Sequence, residues 1–429
     1  MRFTFNKSLL VASVLLAISS QSAFATNGMA PIGLGITQKA MGGAAVATSE
    51  NTMNAGTNPA SLSNVDAGWD IGAEVFMPDR GATISGNNMG GGMTADGSYD
   101  GNGKDMFLIP EGGYKRQLSD KHSVGVVVYG NGGMNSSYDK AIPLFDATGV
   151  NKPGINLEQL VVAPTWSTKI NENNSVGVSL NLAYQRFSAN GLQNFTAPVG
   201  SLQQASSSPN DVTDRGNDAS TGVGATIGWQ GKLSPTVTAG VAYRSKTNMG
   251  KLDKYKGLFA EQGDLDMPAA TTVGIAWQAT PKTLIATDIQ KIEYSKVKAM
   301  ANTNTAGGLL GSDNGSGFGW KDQTVYKIGV KHQVKPNFAV LAGYNHAKNP
   351  LQSSQTLFNV LAPATVEDHV TLGGEWKLNN KASLTAAYTH AFDKGVNGSN
   401  SIHPTQQGGG EANLNMEQNA VGIAYSVKF

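Results

Sequence analysis

The stretch Val176-Gly-Val-Ser-Leu-Asn-Leu-Ala-Tyr-Gln-Arg186 decides the fold class, because its side chains alternate in character along its length. One face of an extended chain would carry apolar residues and end in an aromatic: Val176, Val178, Leu180, Leu182 and Tyr184. The other face would carry small or polar residues. This period of two predicts a β-strand. An apolar face suits either the lipid side of a transmembrane strand or the inner side of a soluble β-sandwich, so the stretch alone leaves both open.

The spacing of the turns separates these two alternatives. Alternating segments come in pairs joined by very short polar links, near 119–123, 171–175, 234–236, 280–283, 335–337 and 379–381. Long stretches rich in Gly, Asn and Ser divide one pair from the next, near 78–105, 131–154, 188–219, 246–267, 295–322, 346–365 and 393–416. Outer-membrane barrels have this asymmetry, with tight periplasmic turns and longer extracellular loops. The sequence therefore predicts a transmembrane barrel.

Residues 68–429 divide into fourteen alternating segments. They run over about 68–77, 106–117, 123–130, 155–170, 175–187, 220–233, 237–245, 268–279, 284–294, 323–334, 338–345, 366–378, 382–392 and 417–429. Single-chain bacterial barrels have an even number of strands, which places both chain ends in the periplasm. We predict an all-β transmembrane barrel of fourteen antiparallel strands. The segment from Leu284 to Tyr294 changes phase midway, which predicts a β-bulge in the ninth strand.

The two ends of the chain carry features of export and barrel assembly. Arg2 and Lys7 accompany an apolar run, and Ala23-Phe24-Ala25 fits a cleavage site, so residues 1–25 are predicted to be a signal peptide. The run is shorter than the roughly 20 residues of a spanning helix, which disfavours an uncleaved anchor. The last segment ends on Phe429, as in strands that the barrel-assembly machinery recognises. We expect a monomer in the bacterial outer membrane, in contact with lipid and lipopolysaccharide.

The composition excludes several classes of function. The chain has no cysteine, which removes disulfides, thiolate metal sites and cysteine nucleophiles. Its 32 basic and 31 acidic side chains give no basic field for nucleic acid. The six histidines show neither HxxxH nor HExxH spacing, and the acidic segment Asp96–Asp105 lacks the ligand pattern of a calcium loop. No enzymatic activity, metal or cofactor is expected.

Residues 26–67 lie between the predicted cleavage site and the first strand, and they lack strand alternation. Apolar side chains such as Met29, Ile32, Met41 and Leu62 make this segment too apolar for a free periplasmic tail. About eight strands enclose only side chains and about 16 to 18 leave an aqueous channel, so fourteen strands should leave room for a small plug. We predict that residues 26–67 form an N-terminal hatch inside the barrel.

Several motifs resemble a known family. The segment Gly35-Ile-Thr-Gln-Lys-Ala-Met-Gly-Gly-Ala-Ala-Val-Ala47, followed by Asn58-Pro59-Ala60, is similar to the hatch of the long-chain fatty acid transporter family, which includes FadL and toluene-type hydrocarbon channels. Further similar segments lie in the barrel: Gly263–Ala269, Ala286–Gln290, Tyr294-Ser295 and Gly319–Asp322. The resemblance covers the whole mature chain. It implies passive uptake of hydrophobic molecules across the outer membrane.

The resemblance also implies a route. In the family, substrates pass from an external groove to an internal pocket, and then sideways into the membrane at a kinked third strand. Gly130-Asn131-Gly132-Gly133 suits that kink, with the start of a flexible loop as the alternative. The groove is expected between the third and fourth outer loops, where ordinary loop packing is the alternative for their apolar residues: Leu192, Phe195 and Leu202, then Leu252, Tyr255, Leu258, Phe259 and Leu265.

A fatty acid substrate would require a cationic partner for its carboxylate. Arg186, Arg244, Lys327 and Lys331 are expected on the lumen side by strand phase, although such residues are more often solvated or paired wall residues. Fatty acids, alkanes and monoaromatic hydrocarbons all fit an apolar pocket, so the sequence does not select among them. A general diffusion porin for small polar solutes is the alternative function, since it shares the barrel and the loops but would lack the hatch.

Overall fold

The computed structural model describes residues 27–201, 204–304 and 307–429, and the predicted signal peptide lies outside these ranges. Long strands, numbered β1 to β14 in chain order, run over Gly68–Ser85, Phe107–Gln117, His122–Ser137, Gly154–Lys169, Asn174–Asn190, Asp218–Ser234, Val237–Arg244, Ala270–Thr280, Thr283–Ile292, Gln323–Lys335, Phe338–Ala347, Asp368–Lys377, Ala382–Val396 and Glu411–Lys428. Two shorter strands, Gly97–Asp100 and Asn248–Met249, belong to the long loops.

The helices are short. Helices α1 to α5 are Ile36–Lys39, Asn54–Thr57, Ala260–Gly263, Lys298–Ala301 and Thr356–Asn359. The 3-10 turns are Pro59–Ser63, Gln193–Phe195, Pro209–Asp211, Asp253–Tyr255, Tyr294–Lys296 and Ser353–Gln355. Within the described ranges, no helix has the length and apolar character that crossing a membrane requires.

The strands close into a barrel. Each strand pairs antiparallel with its chain neighbours, and β14 returns to pair with β1 from Gly68–Lys428 to Ser85–Glu411. This seam leaves neither β1 nor β14 as a free edge, which is the condition for a sheet to span a membrane. The prediction of a fourteen-stranded antiparallel barrel is confirmed.

The two faces of β5, which contains the deciding stretch, differ as the alternation predicts. Leu180 and Leu182 are 46% and 41% exposed, whereas Ser179 and Asn181 are 1% and 2% exposed. Exposed aromatic residues lie near both ends of the strands, with Trp166 and Trp376 toward the short turns and Tyr243 and Tyr326 toward the long loops. The exposed apolar band with aromatic borders is the surface of a barrel in lipid.

The predicted bulge in the ninth strand is wrong. From Leu284 to Ile292, β9 pairs residue for residue with β8, and its pairing with β10 is unbroken. The apparent change of phase arises because Leu284 and Ile292 are apolar and yet face inward. Leu284 packs against apolar hatch residues, and Ile292 belongs to the apolar cluster beneath the outer loops. A lumen filled with protein accepts inward apolar side chains without a bulge.

The hatch lies in the lumen. Its apolar residues are buried, including Met29, Ile36 and Met41. A second group, centred on Met53 and Leu62, packs against apolar residues of β3, β4 and β5. The prediction of an N-terminal hatch inside the barrel is confirmed.

Glycines on the inner wall let the hatch backbone approach the strands. They form cross-strand pairs at similar depth: Gly177 with Gly228, Gly240 with Gly274, and Gly329 with Gly343. A Cβ atom at Gly329 would lie 2.4 Å from the carbonyl oxygen of Met41. One at Gly343 would lie 2.1 Å from the backbone nitrogen of Gly42. We call these six residues the glycine band. A Cβ atom at Gly177, Gly240, Gly329 or Gly343 would overlap hatch backbone, and one at Gly228 or Gly274 would overlap hatch side chains.

Substitution Gly343→Val should displace the hatch while the barrel still assembles, because the added Cβ overlaps hatch backbone. Limited trypsin digestion in detergent should then cleave after Lys39, which is 4% exposed in the native protein. Gly112→Val is the matched control, since the nearest atom to a Cβ there is the Asp70 carbonyl oxygen at 3.6 Å. Heat-modifiable migration on a gel reports barrel assembly. Equal protection of Lys39 in both variants would contradict the role of the glycine band.

Candidate functional site

Ion pairs fix the hatch to the wall on two sides. Lys39 Nζ of the hatch lies 2.7 Å from Glu74 Oε1 of β1, and this pair is buried. On the other side, Lys331 Nζ of β10 lies 2.5 Å from Glu50 Oε2 of the hatch and 2.9 Å from Glu375 Oε2 of β12, and these groups are partly exposed. Breaking a buried pair such as Lys39–Glu74 by removing one partner costs about 3–5 kcal/mol. The hatch is therefore held by contacts that must break together before it moves as a unit.

The predicted hatch motif is buried where the hatch meets β6. Asn58 Nδ2 donates to the carbonyl oxygens of Val46 at 2.7 Å and Trp229 at 3.0 Å. Asn58 Oδ1 accepts from the N–H of Ala60 at 3.1 Å. Pro59 is the first residue of a 3-10 helix, where its missing N–H costs nothing. The tripeptide thus joins two hatch segments to the barrel wall.

A small cavity lies beside the N-terminal part of the hatch. It has a volume of about 40 Å³ and is bounded by residues 30–34. The wall contributes polar side chains from β6 to β10: Thr226, Arg244, Thr272, Gln290 and Lys327. This volume holds a few water molecules and no long-chain substrate. Residues 30–34 must shift before a larger molecule fits.

The structure brings two of the four expected cationic residues to this cavity. Arg244 Nη1 donates to Asn131 Oδ1 at 3.1 Å, and Lys327 Nζ donates to the Ile32 carbonyl oxygen at 3.0 Å. Lys331 is engaged by two carboxylates elsewhere. Arg186 does not face the lumen, because it follows Tyr184 by two residues on the outward face of β5 and pairs there with Glu158.

The residues expected in an external groove lie together but face inward. Leu192, Phe195, Leu252, Tyr255 and Phe259 are buried in one apolar cluster, and the half-buried Leu258 packs against it. The ring centroids of Phe187 and Tyr255 are 4.9 Å apart, and those of Phe187 and Phe259 are 4.8 Å apart. The same cluster continues to Met29 and Ala30 of the hatch, whereas Leu202 lies outside the described residues. We call this cluster the apolar cap.

A titratable carboxyl group lies beside the apolar cap. Burial of Asp264, together with the carboxylates of Asp266 and Glu261, raises the pKa of its carboxyl group from 3.8 to about 6. Asp266 is paired with Lys246, whose Nζ lies 2.5 Å from its Oδ2. Leu265, between the two acids, is fully buried in the cap. The charge state of Asp264 therefore acts directly on the packing of this loop.

The ladder between β2 and β3 is interrupted toward the outer loops. The β2–β3 ladder ends at the pair Glu111–Tyr129, although β3 continues to Ser137 beside β4. The register of β3 against β4 shifts between Gly130 and Gly132. Farther out, the N–H of Gly103 donates to the Ser137 carbonyl oxygen at 2.8 Å and closes the gap. We call this unpaired stretch, from Glu111–Tyr129 to Gly103–Ser137, the window.

Two buried residues near the window, Tyr294 and Arg80, have structural roles that the sequence analysis did not assign. The Tyr294 hydroxyl donates to the Asn27 carbonyl oxygen at 2.5 Å and accepts from the Met29 N–H at 3.0 Å, which fixes the hatch N-terminal segment. Arg80 was assigned to a long loop, yet β1 extends to Ser85 and Arg80 is 1% exposed. The inward alternation of Ala82 and Ile84 after Arg80 was the signal that the strand continues.

The fold and the site together define an outer-membrane β-barrel whose lumen holds an N-terminal hatch. The family model described as outer membrane protein transport protein (OMPP1/FadL/TodX) matches residues 12–429, and the chain belongs to this family. The predicted membership is thus confirmed. The family consists of outer-membrane transporters of hydrophobic compounds and is not a family of enzymes. Comparison with curated protein sequences gives no match.

Solved structures have the same fold. The Pseudomonas putida toluene transporter TodX superposes with a TM-score of 0.68 at 19% identity, over 93% of this chain and 99% of that chain. A Pseudomonas aeruginosa FadL homologue gives 0.68 at 15% identity, over 94% and 100%. The Ralstonia pickettii toluene transporter TbuX gives 0.65 at 17% identity, over 93% and 99%. At these identities the likeness concerns the fold. In the described part of the chain, no group of three or more His, Asp or Glu side chains is placed to hold a metal ion.

The apolar cap should be more stable at pH 5 than at pH 7.5. Because the pKa of Asp264 is raised from 3.8 to about 6, the folded loop holds more protons than the unfolded loop between these values, and stability falls as pH rises through them. Hydrogen exchange over residues 246–269, corrected for the intrinsic pH effect, should be slower at pH 5. Asp264→Asn should remove most of the difference and the exposed control Asp253→Asn should keep it. An unchanged difference in Asp264→Asn would rule out this carboxyl group as the cause.

Proposed function

We propose that the protein takes up long-chain fatty acids or hydrocarbons by passive diffusion. The substrate enters at the apolar cap, reaches the cavity beside residues 30–34, and leaves sideways through the window into the membrane. The observation that carries this proposal is the continuity of one apolar cluster from the outer loops to Met29 and Ala30. Ala30 borders the cavity, and the Met29 carbonyl oxygen lies against Gly132 at the window. An apolar path offers such solutes a favourable environment that a water-filled pore does not.

In this route the hatch N-terminal segment shifts, which breaks its hydrogen bonds to Tyr294 and Lys327. Gly132, inside the bulge of β3, has a φ of +156°, and a Cβ there would lie 1.7 Å from the Met29 carbonyl oxygen. The segment around Met29 therefore lies directly against the inner side of the window. A substrate that displaces residues 29–34 would enlarge the cavity and uncover the window in one step. Arg244 and Lys327 would then be available to a carboxylate head group.

A general diffusion porin fits the structure less well. Two polar recesses of about 860 and 730 Å³ open at the end of the barrel with short turns, and both are partly lined by the hatch residues Ser49 and Glu50. Ion pairs hold this part of the hatch in place. A polar solute would have to pass the hatch and the apolar cap, and the packed apolar side chains of the cap offer it no hydrogen bonds in place of water.

Loss of the hatch motif should abolish uptake of a hydrophobic substrate while the barrel still assembles. Asn58→Ala with Pro59→Ala removes bonds to Val46, Trp229 and Ala60, and deletion of residues 26–60 removes the hatch almost entirely. Uptake of radiolabelled oleate and of an alkane by whole cells would be measured at equal barrel abundance. Asn380→Ala, at an exposed position in a short turn of the barrel, is the matched control. Unchanged uptake after both edits would overturn the hatch-dependent route.

Bulky residues at the window should block uptake without weakening binding. Gly130→Val and Gly133→Val restrict the backbone beside the bulge, where the ladder to β2 is missing. Gly395→Val is the control, because the nearest atom to a Cβ there lies at an ordinary 3.4 Å. Binding would be measured by quenching of tryptophan fluorescence in detergent and transport by uptake in cells. A parallel loss of binding would count against the lateral route.

A further inference from the structure

A chain of polar side chains crosses the wall beside the window. Arg80 Nη2 donates to Asn135 Oδ1 at 2.6 Å, and Asn135 Nδ2 donates to Asn156 Oδ1 at 2.7 Å. Asn156 Nδ2 donates to Glu158 Oε1 at 2.8 Å, and Arg186 Nη2 donates to Glu158 Oε2 at 2.7 Å. We call these five residues the polar strip. They come from four strands, β1, β3, β4 and β5.

The strip connects the two faces of the wall because β3 bends inward beyond its bulge. Arg80 points to the lumen side of β1, as its neighbour Ala82 does. Asn135 points outward from β3, since Met134 and Ser136 on either side of it contact the lumen. Arg80 points inward and Asn135 points outward, so their side chains can meet only if β3 lies closer to the barrel axis than β1 at this depth. The strip therefore begins on the lumen side of the window.

The other end of the strip reaches the outer surface of the barrel. Asn156 and Glu158 follow on the outward face of β4, because Leu157 between them is buried in the apolar cap. Arg186 lies on the outward face of β5, and its side chain is 24% exposed. It is two residues closer to the outer loops than Tyr184. This is the depth at which an amphiphile in the outer leaflet places its head group.

The strip carries an excess of positive charge and one unpartnered donor. It contains two guanidinium groups and one carboxylate, and Arg80 Nε has no hydrogen-bond partner although it is buried. The carboxylates of Asp79, Asp100 and Asp105 attract the charge of Arg80. All three are exposed, so water and salt screen this attraction. Buried charge in a membrane wall is expensive and marks sites that handle polar groups. A pure hydrocarbon gains nothing from such a strip, whereas an anionic oxygen does.

We propose that the polar strip binds the anionic head group of an amphiphile, a carboxylate or a phosphate oxygen, while the tail passes through the window. Arg80 receives the head on the lumen side, and Arg186 receives it at the membrane surface. Leu108, which is 48% exposed on β2 at the window, contacts the tail. The site rests on the proposed uptake function and adds to it a specificity for substrates with a charged end.

The test compares three radiolabelled probes in whole cells: oleate, a single-chain lysophospholipid and hexadecane. Arg186→Gln and Arg80→Met should lower uptake of the charged probes about tenfold or more, the loss expected for one charge-assisted contact. Hexadecane uptake should stay within about twofold, because it makes no such contact. Arg80→Lys keeps the charge and should retain most of the uptake. Lys291 on β9 forms an exposed ion pair with Asp322, and Lys291→Gln is the matched control.

A direct binding measurement accompanies the uptake assay. The chain has no native cysteine, so a fluorophore on Leu108→Cys reports from the window alone. Doxyl-labelled stearate should quench it more weakly in Arg186→Gln than in the parent protein. This variant sits at the exposed end of the strip, so it serves even if Arg80→Met does not assemble.

The outcomes separate the two proposals. Selective loss of oleate uptake supports a carboxylate site, and selective loss of lysophospholipid uptake supports a phosphate site. An equal fall in hexadecane uptake shows that the strip only braces the wall and overturns the head-group site. Unchanged uptake of every probe in Arg186→Gln and Arg80→Met overturns it as well. A native protein that takes up none of the probes would instead overturn the proposed uptake function.

Discussion

In hydrocarbon, every backbone N–H and C=O group must find a partner within the protein, and the structure follows from that constraint. The long ladder between β1 and β14 meets it by closing the sheet. Above the pair Glu111–Tyr129 the constraint is met differently, because β2 and β3 part. There β3 keeps its bonds to β4, and Gly101 and Gly103 cross over to bond Ser137. The unpaired stretch is therefore bounded at both ends by backbone hydrogen bonds.

The width of a fourteen-stranded barrel sets the second condition, since the lumen must be filled. The hatch fills it with backbone as well as side chains, which is possible because the glycine band carries no Cβ atoms. Its apolar residues pack on β3 to β5, while ion pairs from Lys39 and Lys331 hold it elsewhere. In the proposed route residues 29–34 shift and break hydrogen bonds to Tyr294 and Lys327, whereas movement of the whole hatch would break the ion pairs as well.

Much of the fold could be predicted because its signals are local. The alternation from Val176 to Tyr184 indicated both the strand and its lipid face, and the short polar links indicated the hairpins. Reasoning failed where an inward position is apolar, as at Leu284, because a filled lumen removes the contrast between the two faces. It failed again at Arg186, whose place on the outward face was readable from Tyr184 but whose partner Glu158 lies on another strand.

The sequence by itself determined the class of protein: an exported chain, strands of period two, an even strand number and a segment left over for the lumen. These properties depend on residues close together in the chain, so a single sequence reveals them. Only the tertiary structure decided which strands part, which cations share the cavity and that Arg80 meets Asn135. Barrel closure brings residues distant in the chain into contact, and the inward bend of β3 decides which faces meet. Barrel closure leaves no local pattern in the sequence, and the motif Gly130–Gly133 indicates a kink without showing which faces it brings together.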